Sequence, residues 1–126
     1  MKFEVKSKIL GFENINEVEL SQIDELFSTL RLSDGISFTL VDPSRLREYA
    51  FEISNEMQRC LEIKDESDLK VYNVVVIQNP PEESKINFQA PLIFNTSTMT
   101  MAQDVLSLQR YPEFGFDESV KSFINS

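Results

Sequence analysis

The chain of 126 residues has no histidine, one cysteine and only three glycines. Without an imidazole there is no histidine general base, no Ser-His-Asp arrangement and no histidine metal ligand. Cys60 cannot form an internal disulfide, which agrees with a reducing compartment, and it has no second thiol for a zinc site. Arg59 beside it points elsewhere around a helix, so a packed or half-exposed thiol is expected rather than a reactive one. No glycine lies in a GxGxxG or GxxxxGK[ST] pattern, which excludes the usual phosphate cradles. No apolar run reaches the roughly 18 residues a transmembrane helix needs. The opening "MKFEVKSKILGF" alternates charged with apolar residues and lacks a signal-peptide core, so a cytoplasmic protein is expected.

What is present is a core. Hydrophobic residues make up 41% of the chain and include 10 phenylalanines, enough for one packed interior and a single domain over residues 1–126. The formal net charge is −9, from 21 acidic and 12 basic residues. That field repels nucleic acid, and no basic cluster tracks a phosphate backbone. Beyond that, the charge reads either as plain solubility or as a field that attracts a basic protein, and charge alone does not choose between them. Acids recur at Glu17 and Glu19, at Asp65, Glu66 and Asp68, and at Glu82 and Glu83. Neither loop cluster has EF-hand spacing, so solvated loops are expected there rather than a hard-cation site. No cofactor or metal is implied. A binding module is favoured over an enzyme, although a carboxylate or tyrosine mechanism needs no histidine.

Alternation supplies most of the secondary structure. "KFEVKSK" (2–8) sets Phe3 and Val5 against charged neighbours, and Gly11 marks a turn. "ISFTLVDP" (36–43) alternates, is entered through "SDG" and stops at Asp42-Pro43. "YAFEI" (49–53) alternates again, with Tyr49, Phe51 and Ile53 on one side. "LKVYNVVVIQ" (69–78) is apolar on both faces and reads as a central or barrel-wall strand. "NPPEESK" (79–85) is a loop. "INFQAPLIFN" (86–95) and "MTMAQDVLSL" (99–108) read as two more strands, the first interrupted by Pro91, the second with Met99, Met101 and Val105 alternating. Residues 17–32 are ambiguous: Leu20, Ile23, Phe27 and Leu30 fit a helical stripe, which periodicity slightly favours over two strands. Asn55 with Gln58 reads as a capping box for a short helix carrying Met57 and Leu61. Asp117 reads as the cap of a terminal helix bearing Val120 and Phe123. Together these predict an all-β, antiparallel barrel-like sandwich or pseudobarrel, with one or two short helices covering its openings.

"GFE" (11–13), "ISFTLVDP", "AFEI" (50–53), "VVVIQNPPE" (74–82), "NFQAPLIFN" (87–95) and "AQDVLSLQRY" (102–111) occur in the order seen in the flagellar assembly factor FliW, and the chain resembles that family over nearly its whole length. The most specific part is Asn87, Ala90, Pro91 and Asn95, followed by Gln103, Leu106 and Tyr111; Gly11, Phe12 and Pro43 belong to the same pattern. "LREYAFEI" (46–53) is similar to the form found in spiral ε-proteobacteria. The chain departs from the pattern at Lys8-Ile9-Leu10, where many members have Gly-Ile-Pro, and at Leu30-Arg31-Leu32, where many have Leu-Gln-Ser. The resemblance implies a barrel-like, non-enzymatic monomer that binds two proteins, without direct nucleic-acid or membrane contact. One is the translational regulator CsrA, a small basic RNA-binding dimer, and the other is flagellin; exchange between them couples flagellin synthesis to assembly. It also implies strands, not a helix, at 17–32. Charge and loop position nominate Glu17, Glu19, Asp65, Glu66, Asp68, Glu82 and Glu83 for partner binding, and the motif residues for an architectural role. The alternatives are a flagellin chaperone without CsrA contact and a small-molecule-binding or hydrolytic barrel.

Overall fold

The computed structural model describes residues 1–7, 9, 11–32 and 35–119. In chain order the elements are β1 Lys2–Ser7, β2 Glu17–Gln22, β3 Phe27–Leu32, β4 Ser37–Val41, α1 Asn55–Cys60, β5 Leu69–Val76, β6 Lys85–Ile86, β7 Leu92–Asn95, β8 Thr100–Gln103 and β9 Glu118–Ser119. The order β4-β3-β2-β1-β8-β7-β5, with β5 pairing back onto β4, closes a seven-stranded barrel; β6 and β9 extend from β5. Every pairing is antiparallel except β1 with β8, which is parallel and carries a bulge between Val5 and Ser7.

The two-residue period places one side of each strand inside. Val18 and Leu20 on β2, Leu30 and Leu32 on β3, and Leu92 and Phe94 on β7 are buried in one cluster with Phe3, Leu40, Tyr72 and Met101. Phe94 is fully buried and meets Phe3 edge-on at 5.0 Å and Tyr72 at 5.7 Å. The chain between β1 and β2 sends Ile9 and Ile15 into the same cluster, with Phe12 packed edge-on against Phe38 at 5.1 Å. Gly11 supports this reversal at φ 85°, a region glycine occupies without a Cβ clash.

The opposite side of the strands is covered on only part of the barrel. Ile93 and Ala102 alternate with the inward residues and therefore face out, where Met57 and Leu61 of the α1 region pack on them. The helix thus lies on the outer wall of β7 and β8 rather than plugging an opening. A second cluster of Val41, Val75, Ile86, Phe88, Leu106 and Phe114 covers the outside of β4 and β5. Over β1, β2 and β3 the outer wall carries Lys2, Glu4, Glu17, Glu19 and Arg31, joined by surface ion pairs Lys2–Glu17 (4.0 Å), Lys6–Glu4 (2.8 Å) and Arg31–Glu19 (2.5 Å).

Several expectations are corrected. The helical stripe at 17–32 is a hairpin: Leu20 pairs with Leu30, and Ile23 and Phe27 fall at its tip, so sheet pairing overrides the local period. Residues 49–53 keep their alternation but join no ladder. Helix α1 is capped by Ser54, whose hydroxyl accepts from Met57 N–H at 3.1 Å, one residue before the expected cap. "INFQAPLIFN" divides into β6 and β7 around a bend, and β8 stops at Gln103, leaving Met99 in the preceding turn at φ 56° and Val105 exposed. Glu118 and Ser119 pair with β6 instead of starting a helix after Asp117; Val120 and Phe123 lie outside the described residues.

Phe94→Ala removes the ring at the centre of the aromatic contacts and should lower unfolding free energy by about 3–5 kcal/mol, read from chemical denaturation.

Candidate functional site

Of the motif residues, Asn87, Ala90 and Pro91 form the bend between β6 and β7, whereas Gly11 and Phe12 lie at the β1–β2 reversal and Pro43 in the turn after β4. Asn87 Oδ1 accepts from the N–H groups of Gln89 (3.1 Å) and Ala90 (3.2 Å), folding the chain over its own side chain. Pro91 follows where no ladder donor is needed, and its carbonyl accepts from Asp104 N–H at 3.0 Å. Asn95 is 2% exposed; its Nδ2 donates to the Leu61 carbonyl at 2.8 Å and its Oδ1 accepts from Ser97 N–H at 3.0 Å. One side chain therefore joins the end of β7 to the end of α1. Gln103 pairs opposite Leu92 in the β7–β8 ladder. Tyr111 stacks on Phe114 at 5.8 Å and its hydroxyl accepts from Glu52 N–H at 2.9 Å. Pro43 opens a 3₁₀ turn capped by the Asp42 carboxylate.

Three residues that motif reading missed complete this region. Tyr49 donates its hydroxyl to the Phe88 carbonyl and accepts from Asn73 Nδ2 at 3.3 Å. Burial pushes the Tyr49 phenol well above its ordinary range, so it stays protonated. Asn73, fully buried on β5, also donates to the Asn87 carbonyl at 2.8 Å. The Arg47 guanidinium lies 5.2 Å from the Phe88 ring centre and 5.0 Å from that of Phe114, and it pairs with Glu118 at 3.3 Å. The alternation of "YAFEI" placed Tyr49 on one side with Phe51 and Ile53 without showing what it would meet.

The nominated acids occupy separate places. Glu17 and Glu19 sit on β2, each beside a cation of a neighbouring strand, and Arg31 holds the Glu19 carboxyl below its usual range. Asp65, Glu66 and Asp68 lie in and beside the 3₁₀ turn before β5; the Asp65 carboxylate accepts from Ser67 N–H at 2.9 Å, which holds its pKa down. Glu82 and Glu83 lie in the 3₁₀ turn after β5. The last two groups stand at opposite ends of the eight-residue β5, roughly 23 Å apart along the strand. A groove of about 490 Å³ lies beside the first of them, between the Pro43–Arg45 turn, residues 49–53 and the start of β5.

The FliW protein family model matches residues 1–114. The chain belongs to the FliW family. It is 48% identical to flagellar assembly factor FliW 2 of Wolinella succinogenes, over 100% of this chain and 94% of that one. It is 44% identical to flagellar assembly factor FliW of Helicobacter pylori, over 98% and 95% of the two chains. A crystal structure of the flagellar assembly factor FliW superposes with a TM-score of 0.84 at 20% identity, covering 94% of this chain and 84% of that one, and so shares the fold. Among the described residues no helix is long and apolar enough to cross a membrane.

In this FliW chain Asn95→Ala would remove the amide that bonds the Leu61 carbonyl and the Ser97 N–H, leaving Leu61 only the longer bond from Thr98 Oγ1 at 3.4 Å. A loss of about 1–3 kcal/mol in unfolding free energy is expected, measured by urea titration, with the native fold retained by circular dichroism.

Proposed function

We propose that this protein is a non-enzymatic, cytoplasmic flagellar assembly factor that works by binding proteins. In this reading it antagonises the basic regulator CsrA and also binds flagellin, so that newly made flagellin displaces CsrA and links flagellin translation to assembly. The observation that carries the reading is likeness along the entire chain to proteins named flagellar assembly factors. A net charge of −9 supports it, because an acidic surface speeds encounter with a basic partner while keeping nucleic acid away. The barrel interior is filled by side chains such as Phe3, Phe94 and Met101, all at most 1% exposed. That packing disfavours a small-molecule-binding barrel.

Among the nominated acids, Asp65, Glu66, Asp68, Glu82 and Glu83 supply the steering charge in this reading, since Glu17 and Glu19 are already offset by Lys2 and Arg31. The motif residues Gly11, Phe12, Pro43, Asn87, Ala90, Pro91, Asn95, Gln103 and Tyr111 hold the framework.

Purified protein should bind both CsrA and flagellin at low ionic strength, with CsrA affinity falling as salt rises. Glu66→Gln with Asp68→Asn should slow CsrA association roughly threefold and flatten the salt dependence. Absence of binding to either partner would overturn the proposal. Flagellin binding without CsrA binding, seen on native gels, would reduce it to a flagellin chaperone.

A further inference from the structure

The seam that closes the barrel is shorter than β5. On one side β5 pairs with β7 from Leu69 to Tyr72 and with β6 at Val75 and Val76. On the other side it pairs with β4 only through Asn73, Val74 and Val75. Main-chain groups along a strand alternate between its two sides. The Asp68 carbonyl accepts from Thr96 N–H and the Val74 carbonyl accepts from Asn87 N–H, so even-numbered residues face β7 and β6. Leu69 and Val71 therefore turn their main-chain groups toward the side that β4 has left at Asp42-Pro43. The Leu69 N–H is used by the Glu66 carbonyl. Among the described residues no hydrogen bond takes up the Val71 N–H and C=O on that side.

The 490 Å³ groove occupies this gap. It is lined by Lys70 and Tyr72 from the inner face of β5 and by Leu69 and Val71 from the outer face, so it follows the edge of the strand rather than either face. Phe51 and Ile53 give it an apolar wall. Its rim carries Glu25, Asp42 and Glu66 against Arg45 and Lys70, and Arg45 is already 3.9 Å from Glu25. Asp24 and Asp65, next along the two rim loops, accept main-chain N–H bonds that hold both carboxyls ionised. The rim is negative.

We propose that this groove is a strand-addition site: an extended segment of a partner protein, bearing lysine or arginine at alternate positions, pairs with the open edge of β5 at Val71. One residue of the segment exchanges both main-chain bonds with Val71, and a neighbouring N–H reaches the Leu69 carbonyl. Alternate apolar side chains rest on Phe51 and Ile53, while the basic ones face the rim. A helix would leave the Val71 groups unpaired, so an extended chain is the conformation that fits.

The test needs neither partner of the proposed function. In 15N-labelled protein the Val71 amide should exchange at least roughly tenfold faster than those of Lys70 and Tyr72. A capped peptide Thr-Lys-Val-Lys-Val-Lys-Thr should slow Val71 exchange selectively, and the counterpart with glutamate for lysine should bind at least roughly tenfold more weakly. Val71→Pro removes the groove-facing donor, together with the side chain that packs beside Met57 and Leu61, and should abolish peptide binding. Ala50→Trp, which fills the groove from an exposed position, should do the same and stands if the proline variant fails to fold. Slow Val71 exchange in the free protein, failure of the lysine peptide to slow it, equal binding of the acidic peptide, or undiminished binding by Ala50→Trp would each overturn the proposal.

Discussion

Closure of the barrel rests on three residue pairs between β4 and β5: Thr39 with Val75, Leu40 with Val74, and Val41 with Asn73. Without that seam the sheet would be open at both edges, and the aromatic centre around Phe94 would be wet. The seam is short because Asp42-Pro43 ends β4: proline has no N–H to donate, and the Asp42 carboxylate caps the turn that follows. The chain then passes outside the wall as residues 43–53. There Tyr49 bonds back to Phe88 and Asn73, so the segment that leaves the sheet also braces its closing strand.

The same geometry explains the motif around residues 86–95. A strand this apolar would ordinarily run on, but Asn87 folds the chain over Gln89 and Ala90, and Pro91 restarts it as β7. β5 is therefore met first by β7 and then by β6 on one side. The interruption distributes pairing along a long strand instead of creating a reactive site. Asn95 extends the bracing to α1, whose apolar side covers Ile93 and Ala102.

Strands with clear alternation, such as 2–7 and 37–41, were legible because their period reports a face directly, and 69–76 because a run apolar on both faces reads as a wall strand. Residues 17–32 misled because Leu20, Ile23, Phe27 and Leu30 satisfy a helical period by chance of the hairpin tip; Ile23, 63% exposed, belongs to no core. Residues 49–53 misled in the opposite way, since alternation records which side chains are buried and not whether a ladder exists. The acids were visible one by one, and the strand read at 69–78 already separated Asp65, Glu66 and Asp68 from Glu82 and Glu83; what did not show was that Glu17 and Glu19 sit beside Lys2 and Arg31. The groove was invisible for a deeper reason: it is set by where β4 stops relative to β5, a register between residues about 30 positions apart that no local pattern encodes.

Barrel closure and the groove beside β5 both depend on where that seam ends, and cross-strand nuclear Overhauser contacts on uniformly labelled protein measure it directly. Contacts should join Thr39 to Val75 and Val41 to Asn73, with no strand-type contact between Pro43 and Val71. A ladder continuing through Pro43 and Val71, or missing between Val41 and Asn73, would contradict it.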